Sequence, residues 1–347
     1  MRHFLKLFFF IYLLVTFLYA QVSTDSIAVS DSGDEYYDLV DTPVDTVDET
    51  IEPTVSEETV TEVEEVVTGA DLDFSDQVED LNEDASVEEV AESISEILVN
   101  IDTIDTVEVV DDIVENVIES GVSQEIAVEA ILAATSESDE ITETETVTAI
   151  AQGALDSDTG TADSTAAISN VVTAVLEADT DMSDSEVVTA IAQGALESDS
   201  GTADSSAAIS NVVTAVLEAD TDMSETEAVT AIAQGALVSD TGTADSSESM
   251  SDVVTAVLDS EAEVEVSVAV EAVLSATSES QNISVSETIA AIVVGATSSQ
   301  SDVSTSDVLV AILAQNVSES DIIEGLTSSG LSEQEAAQAL SDAKKKI

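Results

Sequence analysis

Carboxylates are the only abundant side chains here that could do chemistry. All 75 Asp and Glu residues lie between Lys6 and Lys344, a stretch without a single Lys or Arg. Many of them recur at fixed spacing. Asp158 and Asp163 return as Asp199 and Asp204, then as Asp240 and Asp245. A second set, Asp179, Asp181, Asp184 and Glu186, returns as Asp220, Asp222, Glu225 and Glu227. Hard cations such as Ca²⁺ favour clustered carboxylates together with backbone and hydroxyl oxygens. These residues are therefore the candidate metal ligands, and the expected behaviour is weak, delocalised binding of divalent cations at many sites. The plainer reading makes the same acids helix caps and first-turn residues, favoured by the helix dipole. No cofactor is required by either reading.

The run Asp156-x-Asp158-x-Gly160 looks like a fragment of a calcium loop. It departs from the EF-hand pattern, which needs a third acidic ligand, a Gly one place later and a Glu at the twelfth position. Val238 replaces Asp156 at the equivalent place in the next but one copy, which weakens that reading further. Other chemistry is excluded by composition. The one His is His3 and there is no Cys, so beyond residue 20 there is no thiolate, no imidazole base and no usual zinc site. Without Arg there is no clamp for a phosphate or a substrate carboxylate. Charge of one sign opposes nucleic-acid binding. Paired carboxylates could run glycoside hydrolysis only in a walled pocket, and a chain with no aromatic residue after Phe74 has little to build one from. The expectation is no enzyme.

Internal repeats decide what must position these residues. Residues 147–182 recur as 188–223 with 33 of 36 positions identical, and a third, partial copy begins at Val229. Each 41-residue unit holds two segments with one apolar spacing. Val147, Ile150, Ala151, Ala154 and Leu155 form the first, and Ile168, Val171, Val172, Val175 and Leu176 the second. The pattern i, i+3, i+4, i+7, i+8 is one face of an α-helix, and a strand would need alternation. Looser boxes at Val110–Ile118 and Ile289–Ala296 extend the series, with starts about 20 residues apart from Val90 to Val308. Ser86…Glu89, Thr142…Glu145, Ser183…Glu186, Ser224…Glu227, Ser284…Glu287 and Ser332…Glu335 have capping-box spacing. The predicted fold is all-α, a solenoid-like array of about a dozen short helices over 86–340, with close tandem copies at 147–258. Its unit length matches HEAT- and armadillo-type arrays in size alone. A core rich in Ala and without aromatics should be thin, with helices in close approach.

Residues 1–20 read as a secretory signal peptide. Arg2, His3 and Lys6 precede an apolar run from Phe8 to Leu18, and Ala20 supplies a small residue at the cleavage site. An uncleaved anchor is the alternative, but the run falls short of the roughly 20 residues that span a bilayer. The expected location is secreted or extracellular, meaning periplasm or cell surface in a bacterium, with no membrane span after cleavage. Cleavage would leave three lysines against 75 acids, a net charge of −72. Residues 21–85 carry both prolines, Pro43 and Pro53, with repeated like charges and no helical period, and are expected to be a disordered acidic arm.

The chain ends on a basic tail, residues 341–347, where Lys344, Lys345 and Lys346 could dock on the acidic body of another copy or simply close the last helix. Asn282-Ile283-Ser284 and Asn316-Val317-Ser318 are N-glycosylation sequons, and Ser56-Glu57-Glu58 and Ser138-Asp139-Glu140 resemble acidic-directed phosphorylation sites. Taken together, the expectation is an exported, acidic structural or matrix protein associated with mineral or with a cell surface. The alternatives are a scaffold for a basic protein partner and a salt-adapted envelope protein without specific cation binding.

Overall fold

The computed structural model describes Phe74, Val78 and residues 81–83, 85–99, 106–136, 141–157, 164–178, 180–198, 205–219, 221–239, 246–278, 280 and 282–347. The signal-peptide reading, most of the arm and the acidic loop centres lie outside these residues. Among the described residues there are fourteen α-helices and no strand. In chain order they are α1 (Val87–Val99), α2 (Thr106–Glu119), α3 (Gln124–Thr135), α4 (Glu143–Asp156), α5 (Ser164–Glu177), α6 (Asp184–Glu197) and α7 (Ser205–Glu218). The series continues with α8 (Glu225–Val238), α9 (Ser246–Asp259), α10 (Val266–Ser278), α11 (Val285–Ser298), α12 (Thr305–Ala314), α13 (Glu319–Ser328) and α14 (Glu333–Lys344).

The apolar boxes become the core. Val147, Ile150, Ala151, Ala154 and Leu155 are all buried, as are Ile168, Val171, Val172 and Val175. The box starts expected about every 20 residues from Val90 to Val308 fall in the span of α1 through α12. Two further helices, α13 and α14, complete the array. At ten to fourteen residues each, such helices are marginal alone in water, so packing must hold them. Each helix packs on its second neighbour, which puts the even-numbered helices in one row and the odd-numbered helices in another, and most sequence neighbours touch across the rows. Phe74 and Val78 join the same buried apolar cluster.

Small residues set the spacing within the rows. A Cβ at Gly153 of α4 would sit 2.5 Å from the Asp111 carbonyl oxygen of α2, and one at Gly194 of α6 would collide with the Thr148 carbonyl oxygen of α4. Gly235 of α8 repeats the contact on Thr189 of α6. Farther along, the close approach changes rows: Gly295 of α11 rests on Ser251 of α9, and Gly325 of α13 on Ser286 and Ile289 of α11. Threonines add hydrogen bonds across the same seams. Thr189 Oγ1 donates to the Ala231 carbonyl of α8 at 3.2 Å, and Thr255 Oγ1 to the Gly295 carbonyl of α11 at 3.1 Å.

Candidate cation-binding carboxylates

Most acidic residues reach the surface because the apolar box claims the rest of each helix, and Asp112 of α2 is a buried exception. Among the candidates, Asp181, Asp222, Glu225, Glu186 and Glu227 are exposed and Asp184 is half-buried. Asp184 and Glu225 occupy the first position of α6 and α8, and Glu186 and Glu227 the third. Asp158, Asp163, Asp179, Asp199, Asp204 and Asp220 lie outside the described residues, as do Asp240 and Asp245.

Glu186 and Glu227 have a defined task. The Ser183 amide and hydroxyl donate to Glu186 Oε2 at 2.9 and 2.6 Å, while the Glu186 amide donates back to Ser183 Oγ at 3.3 Å. Ser224 and Glu227 repeat this at 2.9, 2.7 and 3.3 Å. The reciprocal pair satisfies amides that the first helical turn leaves open. All six boxes read from the sequence form these bonds, at Ser86, Thr142, Ser183, Ser224, Ser284 and Ser332. The Ser183 hydroxyl, then its amide, holds the Glu186 carboxyl below the usual range. The Ser224 amide leads the same effect at Glu227, and Glu89, Glu287 and Glu335 are lowered likewise by their cap serines. In every box the cap bonds use Oε2, so Oε1 is left for solvent or an ion.

Among the described residues, no three carboxylates come close enough to enclose a metal ion. The arrangement offers single oxygens repeated along an edge rather than a cage. A cleft of about 460 Å³ between α3, α4 and α5 is lined by Glu129, Glu143 and Glu177 with Leu132, Ile141 and Thr146.

The structure adds acids that the sequence reading passed over. Ser304 and Ser318 cap α12 and α13 with Asp, not Glu, at the third position, through Asp307 and Asp321. The spacing Ser-x-x-Asp was a usable signal. The three terminal lysines all find acidic partners within the chain. Lys344 Nζ lies 2.5 Å from Glu319 of α13, Lys345 Nζ 2.7 Å from Asp342 of α14, and Lys346 Nζ 3.2 Å from Asp307 of α12. The Ser304 hydroxyl, then Lys346, holds Asp307 below its usual range, and Lys345, then Gln338, does so for Asp342. The tail thus fastens α14 to the two helices before it.

Among the described residues no helix is long and apolar enough to cross a membrane. A scan against protein-family models finds no match for the chain, and a search of curated proteins finds no relative.

Proposed function

We propose that this protein is an exported structural or matrix component, associated with mineral or a cell surface, whose repeated carboxylates gather divalent cations. One observation carries the reading: along thirteen successive helices every charged side chain is acidic, and on α4, α6 and α8 two acids recur in each first turn. Each capping carboxylate is held in place by its serine or threonine and keeps one oxygen outside the cap bonds. That geometry suits ions shared loosely between neighbouring helices of a row, with water completing their shells. Axes packed about 8–10 Å apart bring acids of adjacent helices within about one Debye length at physiological salt, so their repulsion is felt and a divalent ion relieves it. Near-identical copies suit such a role, because an added unit lengthens the surface without disturbing a reaction centre.

Equilibrium dialysis of the secreted chain against Ca²⁺ at constant ionic strength tests the proposal. Several ions bound per chain, with affinity near millimolar, is the expected result. Uptake no greater than ionic strength explains would overturn it and leave salt adaptation, and displacement of Ca²⁺ by one tightly held basic protein would favour the scaffold reading.

A further inference from the structure

We infer that Asn282 and Asn316 are acceptor sites for N-linked glycan; the inference rests on the export reading, since the modifying enzyme works in a secretory lumen. Both begin an Asn-x-Ser triplet, and the structure places both where the folded chain has room for a glycan. Asn282 lies in the α10–α11 connection and Asn316 in the α12–α13 connection, each two residues before a helix cap, and each exposed. Asn316 holds a left-handed backbone with φ 58°, a turn conformation that Asn tolerates and most residues do not. Among the other described asparagines, Asn116, Asn170 and Asn211 lie inside helices and Asn82 in an exposed turn, and none starts such a triplet. Thus the two triplets coincide with two exposed turns. The two turns precede α11 and α13, which are row neighbours in contact at Ser286 and Gly325.

The chemistry is a group transfer from a lipid-linked oligosaccharide. The Asn Nδ2 forms a bond to C1 of the first sugar as the bond from C1 to the lipid diphosphate breaks; the amide loses a proton and the lipid diphosphate leaves. The third-position serines have a competing task in the folded chain. Ser284 Oγ donates to Glu287 Oε2 at 2.5 Å, and Ser318 Oγ to Asp321 Oδ2 at 2.6 Å. Transfer must therefore precede closure of the α11 and α13 caps, during entry into the lumen.

The test expresses the full chain in eukaryotic secretory cells, once with its own first twenty residues and once with a heterologous cleaved leader. Digestion with an N-glycanase should remove two glycans from the wild type and one each from Asn282→Gln and Asn316→Asp, where Asp also tolerates the left-handed turn. The double variant should show no shift, while Ser318→Thr, which keeps both triplet and cap, should match wild type. Two glycans with the heterologous leader but none with the native one would sustain the acceptor sites and refute export by the native leader. Absence of glycan with both leaders would overturn the inference while leaving cation binding untouched.

Discussion

A capping carboxylate in this chain sits between opposing demands. It stabilises a helix start through two donors from one serine, yet it adds to a surface that repels itself. The lowered carboxyls of Glu186, Glu227 and their counterparts show the first effect. A carboxyl lowered by folding contributes stability that is present above its unfolded value and is lost as pH falls through its folded value. Proton uptake by the rest of the acidic surface works the other way, because it removes repulsion. Stability should therefore rise on mild acidification and fall once the caps themselves are protonated. Ser183→Ala isolates the first effect. It should cost about 1 kcal/mol, as loss of a serine cap usually does. In an NMR titration, the Glu186 carboxyl should move up towards an ordinary glutamate value. A Glu186 titration unchanged by the substitution would show that Ser183 is not its cause.

At the scale of the helix, close approach within a row is the feature that a single residue governs. Gly194→Ala puts a methyl against the Thr148 carbonyl of α4, a backbone atom that cannot swing aside. Overpacking of this kind typically costs about 1–3 kcal/mol, which denaturant unfolding should register as a loss of that order. Ala215, which holds in α7 the position that Gly194 holds in α6, already carries the methyl, so Ala215→Gly should cost about 1 kcal/mol through helix propensity. Most of the helices up to α12 were legible because they repeat one apolar face, complete in α4 and α5 and looser elsewhere. By contrast, α13 buries only Ile322, Gly325 and Leu326, and α14 only Ala336, Leu340 and Ala343. Those shortened faces break the pattern, although Ser332 and Glu335 marked the start of α14. The capping acids could be read for the same reason as the helices, since a local three-residue spacing determines them. Pairing of Lys344 with Glu319 and of Lys346 with Asp307 could not, because those partners meet only once rows of helices exist. The change of row between Gly235 and Gly295 was hidden likewise, since spacing shows which helices carry a glycine but not which face a neighbour.

Across the whole molecule, charge and burial oppose each other unit by unit. Two charges 10 Å apart in water repel by about 0.4 kcal/mol before screening. Summed over dozens of pairs, that is comparable with the roughly 5–15 kcal/mol by which domains are stable. The apolar boxes must exceed it with no aromatic residue of their own and with no Lys or Arg between Lys6 and Lys344. Among the described residues the terminal lysines pair with acids only on α12, α13 and α14, and under the proposed function ions from the medium relieve the rest. The most direct test is far-ultraviolet circular dichroism of residues 21–347, starting in low-salt buffer, with Ca²⁺ or NaCl added to equal ionic strength. Helix content and melting temperature should rise in both series, and millimolar Ca²⁺ should exceed its matched NaCl control. Equal responses in the two series would reduce the effect to screening and contradict cation gathering by the repeated carboxylates.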